Sequence, residues 1–277
     1  MPSKNPPALP LLLLLGASAL IIAFSLLVKP ADPDTQSLTH ERAMRLSAYK
    51  SGTPLPGTSA TGEPLEARLS GAGFKLGAPL FVRIFKREFE LEIWLKRDGR
   101  FQRFATYPIC YFSGALGPKL RHGDLQSPEG IYKIEARQLN PASRWHRAFN
   151  LGFPNAFDRT HGRSGSYLMV HGGCSSVGCY AMTDPAIDDI YRLASAALTA
   201  GQPGFQVHAL PFRMTEEALA SRTSHAQAPF WNELKPLNDA FETTGLPPDI
   251  AICDGHYRIA PPGNSRANPL EAGCRRL

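Results

Sequence analysis

What this chain has little of narrows its class first. No dense block of lysine or arginine runs anywhere through its 277 residues, so the electrostatic footprint of a nucleic-acid binder is missing and nucleic acid is not an expected partner. Charged residues make up only 19%, which argues against a globally disordered chain. Cysteine is sparse and odd in number: Cys110, Cys174, Cys179, Cys253 and Cys274. If the protein is exported, at least one thiol is therefore unpaired or bridged to another chain. One stretch lacks charge altogether, from Leu11 to Val28.

Hydrophobic residues supply 43% of the chain, enough at this length for one sizeable core with decoration, so one main domain is expected. Glycine (24) and proline (25) are both abundant and predict many turns, as in a β-rich domain with long connections. A formal charge of +6 and a pI near 9.1 favour an anionic partner or surface, such as lipid headgroups or an acidic wall polymer.

The uncharged run reaches the lower limit for a membrane span and exceeds a usual signal-peptide core. No clean small-x-small cleavage site follows it at Lys29-Pro30-Ala31. Residues 1–29 are expected to be an uncleaved anchor, with a long signal peptide as the alternative. In either case the bulk of the chain is exported. Residues 30–76, rich in Pro, Gly, Ser, Thr and Ala, form a linker with one short helical candidate, Leu38 to Tyr49, as a docking helix.

From Pro79 the pattern turns to strands: Leu80–Phe85, Phe89–Leu95 and Phe101–Tyr107, with Asp98-Gly99 marking a hairpin between the last two. Ile131–Ile134 is another short strand, Asn140 to Gly165 is polar with several turn signals, and Tyr167–Val170 leads into His171. Asp184 then has the chemistry of a helix N-cap, with Pro185 at the first helical position and Gly201 as the stop. Ile187, Ile190, Tyr191, Ala194, Ala197 and Leu198 share one helical face. A strand at Phe205–Leu210 follows, then peripheral helices near Glu216–Ala220 and Pro229–Thr243 and a Pro-rich tail. The fold class expected is mainly β with peripheral helices, α+β.

The chain is organised around the run from Ser166 to Asp184, which carries His171, Gly172, Gly173, Cys174, Gly178 and Cys179. For His171 to meet Cys179, the segment between them must fold back. A helix would hold them ~12 Å apart and a strand ~26 Å apart. The three glycines permit such a return by taking positive φ and letting N–H groups line a concavity.

Three chemistries fit these residues. In one, His171 generates the thiolate of Cys179, and N–H groups around Gly178 and Cys179 stabilise an oxyanion. Nearby positive charge would bring that thiol's pKa down towards neutrality. In the second, His161, His171, Cys174 and Cys179 ligate zinc, although their H-x9-H-x2-C-x4-C spacing is not a familiar zinc pattern. In the third, Cys174 and Cys179 form a structural disulfide.

Ser176-Val177-Gly178-Cys179-Tyr180-Ala181-Met182 resembles the Ser-His-Gly-Cys-x-x-Met signature of the L,D-transpeptidase (YkuD-type) catalytic domain, and His171-Gly172 resembles that family's upstream His-Gly. The chain is most similar to the YafK-like branch, from about Pro79 to Thr215. Supporting stretches are Arg83-Ile84-Phe85-Lys86, Tyr107–Cys110, Ser113–Lys119, Gly123–Gly130, Phe149–Asn155 and Pro211–Thr215. Val177 departs from the wider family, which has a second histidine there, and the His171 to Cys179 loop is short; the YafK-like branch shares both departures.

The resemblance implies a β-sandwich catalytic domain over 77–215 with a C-terminal helical extension and tail over 216–277. It makes Cys179 the acyl-enzyme nucleophile, His171 its base, and Gly178 and Cys179 the oxyanion donors. Arg163, Ser176 and Tyr107 are the substrate-binding candidates, with Ser113 and Lys119 bordering the site and His161 a residue of the preceding loop. No metal or other cofactor is implied. The implied partners are peptidoglycan stem peptides, attacked at the L-centre carbonyl of diaminopimelate, and a wall-attached lipoprotein released by hydrolysis. The implied location is the periplasm, with anchoring in the inner membrane. The alternatives are an L,D-transpeptidase that forms crosslinks, or a non-catalytic wall-binding module held by a Cys174–Cys179 disulfide.

Overall fold

The computed structural model describes residues 33–58, 62–261 and 274–277. The uncharged segment expected to anchor the protein lies outside the described residues. Among those described, no helix is long and apolar enough to cross a membrane. In chain order the elements are α1 (Pro33–Ser51), α2 (Leu65–Gly71), β1 (Leu80–Phe85), β2 (Glu90–Arg97), β3 (Arg100–Pro108), β4 (Tyr111–Phe112), β5 (Gly130–Ile134), β6 (Leu139–Ser143), β7 (His146–Asn150), α3 (Ala156–Thr160), β8 (Met169–His171), β9 (Tyr180–Ala181), α4 (Asp184–Thr199), β10 (Phe205–Leu210), α5 (Glu216–Ala220), α6 (Ala228–Thr244), β11 (Ile250–Cys253), β12 (His256–Ile259) and β13 (Cys274–Arg276).

Two five-stranded sheets carry the domain. The first runs β3-β2-β1-β10-β5; β1 is buried along its whole length because β2 and β10 flank it and both faces are covered. The β2–β3 hairpin turns at Asp98 (φ 52°) and Gly99 (φ 82°). Two successive left-handed residues give the turn whose twist matches the strands, as the Asp-Gly pair predicts. The second sheet runs β4-β9-β8-β7-β6. The sheets share one core: Phe149 on β7 meets Phe205 on β10 edge to face, with ring centroids 5.8 Å apart.

Helix α4 buries Ile187, Ile190, Tyr191, Ala194 and Ala197, the face read from the 3.6-residue period, with Leu193 in place of Leu198. Its N-cap is Thr183, whose hydroxyl accepts from the Ala186 N–H, one residue earlier than expected. The Asp184 carboxylate is free of capping because it accepts the N–H of Gly173 at 2.8 Å. Helix α1 extends beyond the expected docking segment at both ends. It lies against the domain through Arg45, which donates to Ile109 O at 3.0 Å, and Arg42, whose guanidinium sits 4.5 Å from the Phe112 ring centre.

Beyond α6 the chain forms a third sheet, β12-β11-β13, stapled by a Cys253–Cys274 disulfide. This tail carried no strand signal, since its pairing is long-range and its short strands alternate weakly. The β6–β7 hairpin was equally silent: Asn140-Pro141-Ala142-Ser143 is polar, and its pairing depends on β8.

A buried lysine connects the first sheet to the loops around the second. Lys86 Nζ donates to Ala115 O (3.0 Å), Gly117 O (2.9 Å) and Ser127 O (2.9 Å), and pairs with Glu129 at 3.0 Å. Burial pushes its ammonium below the ordinary lysine range, and the Glu129 charge opposes that shift. Two loops that carry the family-like motifs are thereby tied to one cation.

Candidate active site

Strands β8 and β9 are parallel neighbours, with Val170 opposite Tyr180 and His171 opposite Ala181. Parallel strands ordinarily need a long crossover; here both are so short that the loop between them has only a few residues' length to travel back. The return is tight. A Cβ at Gly172 would lie 2.5 Å from Asp184 Oδ1, so this glycine is needed for space and not for positive φ. Gly173 (φ 81°), Cys174 (φ 47°) and Gly178 (φ 148°) take the left-handed conformations.

The register settles which groups meet. With Val170 opposite Tyr180, Cys179 falls beside Met169, and side chains alternate along a strand. Met169, His171 and Cys179 therefore face the same side, while Val170 and Tyr180 face the core. The Met169 N–H donates to Cys179 Sγ at 3.4 Å, and the thiol donates to Tyr167 O at 3.6 Å. His171 and Cys179 open into one cleft of about 370 Å³, walled also by Trp145, Tyr167 and Val177. A larger surface cavity, about 770 Å³ along α4, contains neither residue.

His171 Nδ1 lies 2.6 Å from Gly172 O. A carbonyl only accepts, so Nδ1 carries the proton and Nε2 of the neutral ring keeps its lone pair. Burial pushes the imidazole pKa down, and the bond to Gly172 O opposes it. Burial pushes the Cys179 thiol up, against the pull of the Met169 N–H and the Lys119 charge. At rest the pair is a neutral thiol beside a neutral imidazole, and the expected lowering of the thiol pKa by nearby cations does not prevail. Trp145 stacks on the imidazole, with ring centroids 6.0 Å apart and planes 28° apart.

Two hydroxyls hold the backbone at the thiol. Ser176 Oγ donates to Cys179 O at 2.7 Å and accepts the Gly178 N–H at 3.0 Å, which engages one of the two expected oxyanion donors. Ser127 Oγ donates to the same carbonyl at 3.0 Å. Sequence reasoning missed Ser127, although it lies inside the Gly123–Gly130 stretch. Arg144 and Trp145 were missed as well, because nothing in a polar hairpin turn marks it as a cleft wall.

The remaining candidates are not among the residues lining that cleft. Arg163 is buried, pairs with Asp158 at 2.9 Å and packs over the Phe230 ring at 4.4 Å; a buried cation requires such a partner and is not available to the cleft. Tyr107 donates to Asp189 at 3.1 Å and accepts from Arg68 at 3.1 Å, bordering a separate cavity. His161 stacks on Phe157 with centroids 4.2 Å apart. Lys119 is buried, donating to Arg121 O at 2.8 Å and pairing with Asp124. Ser113 is buried too, its N–H donating to Ser127 Oγ at 3.2 Å. Cys174 is bonded to Cys110 and Cys179 is a free thiol. This removes the Cys174–Cys179 disulfide and takes Cys174 from the zinc alternative. Among the described residues no group of three or more His, Cys, Asp or Glu side chains is arranged to hold a metal.

The family model of the L,D-transpeptidase catalytic domain (YkuD) matches residues 84–208. The "Putative L,D-transpeptidase YafK" of Escherichia coli K12 is 46% identical over 187 residues, 68% of this chain and 76% of that protein, and its counterpart in strain O157:H7 matches to the same extent. Among solved structures, the chain is similar to a lysine-to-alanine variant of the helical cell shape determining protein Pgp2 from Campylobacter jejuni, at 20% identity and TM-score 0.40, over 65% of this chain and 66% of that one. It is also similar to Bd1075 from Bdellovibrio bacteriovorus, at 16% identity and TM-score 0.34, over 60% of each chain.

Proposed function

The chain belongs to the L,D-transpeptidase (YkuD-type) family, and from that premise we propose that it is a cysteine-dependent enzyme of peptidoglycan that works through an acyl-enzyme and transfers the acyl group to water. The observation that carries this reading is the shared cleft. His171 and the free thiol of Cys179 lie on one face of adjacent strands, with the Nε2 lone pair of His171 available.

As Sγ attacks the L-centre carbonyl of diaminopimelate, Nε2 of His171 takes the thiol proton. A neutral pair suits this order of events, since the base acts only as the bond forms. The carbonyl electrons move to oxygen, where the Cys179 N–H stabilises the oxyanion; the Gly178 N–H contributes once the substrate displaces the Ser176 hydroxyl from it. Collapse expels the amine, protonated by His171, and leaves a thioester. Water, deprotonated by the same Nε2, then releases the acid and restores the thiol. With the terminal lysine of a wall-attached lipoprotein as the leaving amine, the outcome is release of that lipoprotein. Location in an oxidising periplasm accords with the two disulfides, with residues 1–29 tethering the domain to the inner membrane.

Mass spectrometry of muropeptides, before and after incubation with the wild type and with Cys179→Ala, tests the proposal. Cleaved products and a transient protein adduct are expected from the wild type only. Equal cleavage by Cys179→Ala would refute it, and new crosslinks in place of free acids would reassign the acceptor to an amine.

A further inference from the structure

Arg144 and Trp145 are the two turn residues of the β6–β7 hairpin, between the paired residues Ser143 and His146. The hairpin is held over the cleft: the Gly172 N–H donates to Trp145 O at 3.1 Å, the Trp145 N–H donates to Ser143 Oγ at 3.1 Å, and the Trp145 ring covers His171. Arg144 lines the same cleft as Cys179, and no carboxylate is among the residues lining it.

Two other arginines are already engaged. Arg147 pairs with Asp188 at 2.7 Å and Arg163 with Asp158 at 2.9 Å. Arg144, exposed, makes no such bond among the described residues. An arginine on a turn that lines a cleft without its own anion, next in sequence to an exposed aromatic residue, is suited to grip a planar carboxylate in two parallel hydrogen bonds.

We propose that Arg144 binds a free carboxylate of the stem peptide flanking the scissile amide, with Trp145 as the apolar wall for the adjoining aliphatic chain. The inference rests on the proposed reading of the cleft for its substrate class. Two carboxylates qualify by chemistry: that of the D-centre on the acyl side, and the α-carboxylate of an amino-acid leaving group.

The test uses the full chain and synthetic stem peptides that share one scissile amide, with both carboxylates free or with one or the other converted to the amide. On the free peptide, Arg144→Gln is expected to lower kcat/KM roughly tenfold, the size of one charge-assisted contact discounted for exposure. One amidation lowers the wild type by the same factor and leaves Arg144→Gln unaffected; which amidation does so identifies the carboxylate. Arg144→Lys recovers part of the loss, and Cys179 alkylation by iodoacetamide proceeds at the wild-type rate in both variants. Equal sensitivity of wild type and Arg144→Gln to both amidations, or slowed alkylation, overturns the proposal. Peptide binding in a Cys179→Ala background separates the two levels. If the wild type turns over none of the peptides but Arg144→Gln still weakens binding of the free one roughly tenfold, the carboxylate site stands and the hydrolase reading falls. No binding overturns the site.

Discussion

Ser127 Oγ donates to the carbonyl oxygen of Cys179 at 3.0 Å, across 52 positions of sequence. Ser127 is itself tethered through its own carbonyl to the buried ammonium of Lys86, at 2.9 Å. The backbone at the proposed nucleophile is thereby referenced to the middle of the first sheet as well as to its own loop, where Ser176 supplies the second donor at 2.7 Å.

Ser127→Ala should therefore lower kcat more than it raises KM, by roughly tenfold, for a loss of about 1 kcal/mol in stability. Because both hydroxyls bond one oxygen, the effect of Ser127→Ala together with Ser176→Ala should differ from the sum of the two. Steady-state kinetics with denaturant titration reads both quantities. An unchanged kcat in the double variant would remove the positioning role.

The thiol and imidazole predict a particular pH response. Burial raises the Cys179 pKa, so its thiolate forms only as pH climbs past the ordinary thiol value of about 8.5. Alkylation by iodoacetamide should still be accelerating there, and a plateau reached by pH 7 would contradict the neutral resting pair. Burial lowers the His171 pKa, so the basic form persists as pH falls below about 6.5, and turnover should persist with it. An acid limb centred above that value would count against His171 as the base.

The Cys110–Cys174 disulfide spans 64 positions and ties the loop bearing Cys179 to the residue preceding β4. Loop-closure entropy for such a span is about 4 kcal/mol, an upper figure for most native bridges. The paired substitution Cys110→Ser with Cys174→Ser should lose roughly 2–4 kcal/mol in a denaturant titration. Unreduced wild type, unfolded, should titrate as one thiol per chain, from Cys179. Three titratable thiols would mean that one bridge is absent.

Lys86 and Glu129 are both fully buried and 3.0 Å apart. Lys86→Met leaves a carboxylate stranded in the core and should destabilise the protein by roughly 3–5 kcal/mol. Glu129→Gln placed on top should cost much less than it does alone, since the charge it removes no longer has a partner. Additive losses in thermal or denaturant unfolding would show that the two do not act as a pair.

Local signals were legible wherever local chemistry decides. Asp98-Gly99 specifies its hairpin, Pro185 and Gly201 bracket α4, and its apolar face follows from the 3.6-residue period. Where the outcome depends on what a side chain meets, the reading went astray. Arg163 resembled a ligand for a substrate anion until Asp158 and Phe230 were seen around it, and Tyr107 was a cleft candidate until Asp189 and Arg68 were found bonded to its hydroxyl. Asp184 left its capping role for Gly173. The β6–β7 hairpin and the C-terminal sheet went unread because polar strands of a few residues owe their conformation to long-range pairing.

Residue identity and spacing alone determined that His171 and Cys179 could meet only across a glycine-bearing return, because no regular element can join them at that separation. Which cysteine stays free was decided only in three dimensions, by the closeness of Cys110 to Cys174. So was the charge state of the resting pair, since burial outweighs nearby cations in a way that composition does not encode. The engagement of the arginines was decided there too: Asp158 holds Arg163 and Asp188 holds Arg147, whereas Arg144 lines the cleft with no such bond among the described residues.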